Sequence, residues 1–384
     1  MKASEPPLGI GLNLLYLVEG AGGAGRYAKE LMPALLGLEP ESRLTAFVTT
    51  SVQDELLREP WAEEIDWLRY DVRPGSRRAL VTQMLEIPFA AARRRLDVMH
   101  SPANIGLLKT VRAANVVTLL DLIWFHPETS PLSRRERVTS TLVFTRCAKA
   151  ADRVLTISEA TKHDLVETIG LNPDRIDVTP LGVGGDGVEP VGEREVRTRL
   201  ALGDAPFVLV VAQKQPHKNL PSVIRAVSEL EPPIQLVLAG APAPHERELQ
   251  RLAEDLGVSG RVRFVDWVSD AELQALYRAA RVFALPSFIE GFGLPILEAM
   301  RQGTPVACSG QSALSEVAGD AALLFDPGDQ RSVTNAIRRV LGDEELRTEL
   351  VARGRERSRQ FTWQRTAEVT LAAYRRALAD RRGA

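Results

Sequence analysis

Ser287-Phe288-Ile289-Glu290-Gly291-Phe292-Gly293-Leu294-Pro295-Ile296-Leu297-Glu298-Ala299-Met300 follows the short apolar run Val282-Phe283-Ala284-Leu285. Together they read as a strand, a glycine loop and a helix. Gly291 and Gly293 permit backbone conformations and close approaches that a Cβ blocks. Pro295 suits a first helical turn, where its missing N–H would have had no partner anyway. The N–H groups of Gly291, Phe292, Gly293 and Leu294 and the helix N-terminus then present an anion site. Two carboxylates flank it. Glu290 precedes the loop, and Glu298 sits in an otherwise apolar run, where a carboxylate needs donors. Sugar or ribose hydroxyls are suitable ones. An early-helix glutamate that complements the helix dipole accounts for Glu298 more plainly.

Outward from this segment, short apolar runs alternate with longer amphipathic ones. Strands are expected at 8–18, 44–49, 97–100, 115–120, 153–157 and 176–179, then at 207–212, 234–239, 262–265, 282–285, 304–308 and 322–325. Helices are expected at 24–37, 82–95, 132–151 and 158–168, then at 219–230, 245–257, 271–280, 294–302, 330–341 and 343–359. Such alternation predicts parallel sheets covered on both faces. The length of 384 residues favours two domains. The glycine-rich stretch from Pro180 to Pro190 is the best boundary, and Trp363 to Arg382 reads as a final helix.

Composition excludes several classes. A 45% hydrophobic, 26% charged chain of net charge −2 is an ordinary globular sequence without a bulk signal for nucleic acid. Cys147 and Cys308 stand far apart, so neither a disulfide framework nor a cysteine metal site is expected, and a reducing cytoplasm fits. The five histidines lack zinc-type spacing, and no Asp-x-Asp pair occurs. The start does not read as a signal peptide, and the apolar run 8–18 is too short to span a bilayer.

Other strand ends carry polar residues. Gly20, Gly22 and Gly25 satisfy Gly-x-Gly-x-x-Gly ahead of a helix, but the acidic residue of a dinucleotide site is missing after the next strand, and a tight turn explains the glycines equally. Lys214 and Lys218 follow the strand 207–212, where a lysine can neutralise a phosphate; a solvated lysine ahead of an Asn219-capped helix is the commoner case. Asp121, and the pair His100 and Asn104, also lie at strand ends, with His126 near Asp121. The helix 132–151 carries four arginines and a lysine, as membrane-surface helices do, although a solvated face is the more usual meaning.

The Glu290-to-Glu298 spacing, with Gly-Phe-Gly and Leu-Pro between, resembles the signature of the retaining GT4 glycosyltransferases, and Gly303-Thr304-Pro305-Val306 and Ser315-Glu316-Val317-Ala318-Gly319 continue that pattern. The mannosyltransferase-like members are most similar. The resemblance implies a GT-B fold: α/β, two doubly wound Rossmann-like domains facing a central cleft. Residues 1–183 would form the acceptor-side domain, 184–190 the hinge and 191–365 the donor domain, with the helix 366–384 packing back on the first domain. It implies catalytic roles for Glu290, Lys218 and Asp121. Donor contacts would come from Gly22, Gly23, Lys214, Gly291, Phe292, Gly293, Leu294 and Glu298. His100, Asn104 and His126 are acceptor-side candidates. Two departures stand out: Leu120 replaces a family histidine and Gln213 a family arginine, leaving Lys214 as the nearest second cation.

The implied reaction is transfer of a hexose of mannose or glucose type, with retention, from a GDP-, UDP- or ADP-linked donor to a glycan or glycolipid, with no metal and no further cofactor required. A cytoplasmic protein that can contact the inner face of the membrane is expected. Competing readings are a sugar-nucleotide epimerase and a binding protein without turnover, the latter motivated by Leu120 and Gln213. A nicotinamide dehydrogenase leaves the Glu290–Glu298 segment unexplained.

Overall fold

A computed structural model describes residues 6–17, 22–52, 54–125, 133–184 and 191–383. They hold two wholly parallel sheets. The first takes β1 (Gly9–Asn13), β2 (Arg43–Thr49), β3 (Ile65–Tyr70), β4 (Val98–Ser101), β5 (Ala114–Leu119), β6 (Arg153–Thr156) and β7 (Ile176–Val178) in the order β3-β2-β1-β4-β5-β6-β7. The second takes β8 (Phe207–Val211), β9 (Gln235–Ala239), β10 (Val262–Val265), β11 (Val282–Leu285), β12 (Val306–Ser309) and β13 (Ala322–Phe325) in the order β10-β9-β8-β11-β12-β13. Both are doubly wound: strand order reverses between β1 and β4, and again between β8 and β11.

The inner strands are continuous apolar runs because both faces are covered. Val208, Val210, Leu236, Leu238, Val282 and Ala284 pack with Val223, Val227, Val333 and Ile337 from flanking helices in one buried cluster. β3 was not expected. Its Ile-Asp-Trp-Leu-Arg-Tyr leaves Asp66 and Arg69 exposed, as an edge strand allows. The expected strand 8–18 stops at Asn13, where the Leu17 N–H closes a turn on the Leu14 carbonyl at 2.9 Å. The helix expected at 82–95 starts earlier and runs as Arg77–Val81, a wider π-type turn Thr82–Glu86, and Ile87–Arg93.

The chain divides into two compact units. The first comprises the described residues of Met1–Phe125, Ser133–Gly182 and Thr362–Ala384; the second comprises those of Val183–Phe361. The first therefore includes the long helix Trp363–Gly383. Its Tyr374 hydroxyl lies 2.7 Å from His100 Nδ1, Trp363 stacks on Tyr27 at 6.2 Å, and Arg153 donates to Asp380 at 2.9 Å. Gly182 is required here: a Cβ would lie 2.2 Å from the Trp363 nitrogen. Residues 185–190, most of the expected hinge, lie outside the described residues.

Candidate donor site at the second strand crossover

In an open parallel sheet the crevice for ligands lies beyond the strands' carboxyl ends, where strand order reverses. In the second unit that place is β8/β11. The loop after β8 brings Lys218, and the loop after β11 brings Glu290. The Phe288 N–H donates to the His217 carbonyl at 2.9 Å, joining the two loops. Lys218 Nζ donates to Glu290 Oε1 at 2.6 Å, and the Ser287 hydroxyl donates to the same oxygen at 2.7 Å. The two charged side chains are 16% and 14% exposed, so they are desolvated enough for the pair to matter yet open to a ligand. His217 beside them has its pKa pushed down to about 4, mainly by burial and then by the Lys218 charge, with Glu290 opposing.

The backbone of Glu290 is fixed by a residue that sequence reading missed. Ser312, just beyond β12, accepts from the Glu290 N–H at 3.2 Å and donates to its carbonyl at 2.6 Å. Ser312 has φ 57° and ψ −150°, a region populated almost only by glycine. Sequence carries no signal for this, since a serine does not announce a left-handed backbone.

The glycine loop enters the helix Leu294–Gln302 through Gly293, at φ 109° and with no side chain to cap the first turn. A Cβ there would lie 2.6 Å from Leu314 Cδ2. The first-turn N–H groups and the helix dipole thus favour an anion at this end. Gly291, Phe292 and Leu294 are all buried around it. Glu298 is half-buried, and Tyr277 donates to its Oε2 at 2.8 Å. Tyr277 was likewise missed, because in a helix an aromatic at that spacing reads as core. Its ring does pack edge-on against Phe283, at 5.6 Å.

Lys214 is a correction. Its side chain is fully buried, and Nζ donates to Gly240 O at 2.7 Å, Val265 O at 3.3 Å and Asp266 Oδ1 at 3.2 Å, with Glu246 at 3.5 Å. It ties together the carboxyl ends of β8, β9 and β10 and does not face a ligand. Carbonyls and carboxylates from two neighbouring loops outcompete solvent for it. Asn219 is not a side-chain cap either: it sits at φ 51° and donates to Pro327 O at 2.9 Å.

The first-unit candidates are placed differently. His100, an acceptor-side candidate, is fully buried, bridging the Tyr374 and Thr118 hydroxyls at 2.7 Å each. Burial pushes its pKa down to about 3. It is a core histidine, and the reading as an acceptor contact is withdrawn. Asn104 is 8% exposed and accepts from the Leu120 N–H at 2.6 Å, which makes it a loop support. Asp121 is half-buried and accepts from the Ile123 N–H at 3.3 Å. Gly22, at φ 58°, opens the helix Gly22–Leu38, and Gly23 has open space where a Cβ would stand. His126 lies outside the described residues. Among the described residues no three His, Cys, Asp or Glu side chains are grouped to hold a metal ion.

Solved structures share this architecture. Sucrose-phosphate synthase from Thermosynechococcus elongatus superposes with a TM-score of 0.78 at 23% identity over 97% of this chain and 99% of its own. HepE from Anabaena, solved in complex with UDP-glucose, gives 0.74 at 19% identity over 95% and 99%. Two Rossmann-like parallel sheets of this kind define the GT-B class. A family model described as Glycosyltransferase Family 4 matches residues 21–184, and one described as Glycosyl transferases group 1 matches 193–357. The D-inositol 3-phosphate glycosyltransferase of Kineococcus radiotolerans is 30% identical over 410 residues, spanning 94% of this chain and 92% of its own. The O-antigen chain mannosyltransferase B of Escherichia coli is 29% identical over 374 residues, spanning 92% and 96%. The chain belongs to glycosyltransferase family 4.

Proposed function

We propose that the chain is a retaining hexosyltransferase that moves a mannose- or glucose-type sugar from a nucleotide-sugar to a glycan or glycolipid, without a required metal or further cofactor. The observation that carries this reading is the Lys218–Glu290 pair at the β8/β11 crossover, beside an uncapped helix N-terminus. Lys218 has three donors and gives one to Glu290. The others, with the Gly293 and Leu294 N–H groups, hold the departing diphosphate, where negative charge grows as the glycosidic bond breaks. Glu290 accepts from sugar hydroxyls, and Glu298, oriented by Tyr277, accepts from ribose hydroxyls. The acceptor attacks from the leaving-group face, with the diphosphate taking its proton. Asp121 remains the first-unit candidate for contact with the transferred sugar.

A mannosyl donor ranks first because a relative aligned over 92% of this chain is named a mannosyltransferase. The two buried free cysteines, Cys147 and Cys308, suit a cytoplasmic setting, and a glycolipid acceptor would bring the protein to the inner face of the membrane.

A thermal-shift panel of GDP, UDP and ADP with their mannose and glucose conjugates, and NAD as control, tests the reading. One nucleotide family raises the melting temperature as its concentration passes its Kd, and Glu298→Ala removes that shift. Free nucleotide then forms only when acceptor is added. Silence across the panel, or a Glu298→Ala response equal to the parent, ends the site assignment. Nucleotide release without acceptor points to an epimerase or hydrolase instead.

A further inference from the structure

We propose that the first unit docks on an anionic lipid surface through the helical run Arg77–Arg93 and the loop 105–112. In that run Arg77, Val81, Leu85, Phe89 and Arg93 recur every four residues. Such a row drifts around a regular helix, and the wider turn Thr82–Glu86 counters the drift. Val81, Leu85 and Phe89 are 43%, 67% and 64% exposed, while Ala79, Ile87 and Ala91 pack inward. The outward stripe is thus apolar in the middle and cationic at both ends.

The stripe does not stand alone. Gln83 donates to the Ile105 and Gly106 carbonyls at 3.1 Å each, setting the loop beside the helix. That loop exposes Ile105, Leu108 and Val111 together with Lys109 and Arg112, and has no acidic residue. From 77 to 95 there are five arginines against one acid; Arg78 pairs with that acid, Glu86, and Arg94 with Asp66 of β3, which leaves Arg77, Arg93 and Arg95 as the surplus. This local surplus exists in a chain whose net charge is −2. An apolar stripe with basic flanks is what an interfacial helix presents to acyl chains and anionic headgroups. A second copy of the chain is a poorer occupant, because pairing this face with itself brings like charges together. No helix among the described residues is long and apolar enough to cross a membrane, so contact would be peripheral. The helix Arg134–Ala150 also exposes Val138 and Leu142, but its apolar side chains are fewer.

The full chain, without donor, is sedimented with vesicles of phosphatidylglycerol and phosphatidylcholine in about equal parts, and with pure phosphatidylcholine. Binding is expected to the mixed vesicles only, weakening with salt. Leu85→Ser/Phe89→Ser, which changes no charge and replaces solvent-facing side chains, lowers the partition at least about tenfold, and Val138→Ser/Leu142→Ser changes it little. Failure of the parent to bind mixed vesicles, equal binding by the Leu85→Ser/Phe89→Ser variant, or loss confined to the Val138→Ser/Leu142→Ser variant overturns the proposal. So does concentration-dependent dimerisation that Leu85→Ser/Phe89→Ser abolishes while vesicles go unbound. Because no sugar is present, the outcome is independent of the transferase reading.

Discussion

The carboxyl ends of the two sheets differ in what their polar side chains do. At β8/β11 the charged Lys218 and Glu290 are linked to one another and remain partly open, at 16% and 14% exposure. At β1/β4 the polar groups are neutral and sealed: Asn13 is 3% exposed, Ser101 1% and His100 0%, the last bonded to Thr118 of β5, itself fully buried. The same winding can therefore end in a partly open charged site or in a sealed neutral plug. Topology says where a ligand can bind, and local chemistry decides whether the place is kept open.

Two lysines four residues apart sharpen the contrast. Lys218→Met removes the cation assigned to the diphosphate, and kcat/KM is expected to fall roughly 10²–10³-fold, the range for loss of one transition-state electrostatic partner. The melting temperature should change little. Lys214→Met does the reverse: it leaves two carbonyls and two carboxylates without their common donor, costing about 3 kcal/mol of stability, with the donor KM nearly unchanged in the protein that stays folded. Steady-state kinetics and denaturant melts on both variants check this. Should Lys214→Met spare stability and raise the donor KM, the fold and site roles are interchanged.

That pair also marks how far the sequence reads. The strand–helix alternation was legible because inner strands buried on both faces must be apolar, and β8, β9 and β11 show it. β3 was hidden because an edge strand tolerates Asp66 and Arg69. The segment holding Glu290, Gly293 and Glu298 was legible as a loop running into a helix because loop, glycine and helix start are contiguous. Lys214 and Lys218 were not separable, because the carbonyls that capture Lys214 come from Gly240 and Val265, distant in the chain. His100 looked like a strand-end ligand, and one of its two partners, Tyr374, is 274 residues away.

The sealed end carries a pH signature that the open one shares only through His217. Folding holds His100 neutral, its pKa pushed down to about 3 by burial, whereas in the unfolded chain it titrates near 6.5. Between those values the unfolded state binds the extra proton, so stability is full above about pH 6.5 and is lost as pH falls toward 3. Each such histidine contributes a slope of up to about 1.4 kcal/mol per pH unit. His100→Phe abandons two hydrogen bonds and is expected to lose about 1–3 kcal/mol at pH 7.5. Its deficit should shrink at pH 4.5, because His100 no longer penalises the acid side. Urea melts at both pH values decide it, and an equal deficit at each contradicts the buried neutral assignment.

The smallest effect belongs to Ser312, where two opposed terms separate. Its backbone at φ 57° and ψ −150° costs a side-chain-bearing residue about 1–3 kcal/mol, while its hydroxyl holds both main-chain groups of Glu290. Ser312→Ala keeps the strain and loses the clamp; Ser312→Gly loses both. The two variants should therefore share a loss of activity, with the glycine form the more stable by about 1 kcal/mol or more. If the hydroxyl only braces the loop, activity follows stability and Ser312→Gly matches the parent. If it aligns Glu290 for sugar hydroxyls, Ser312→Gly is well folded and still slow, which a melt and a donor titration on the same sample distinguish.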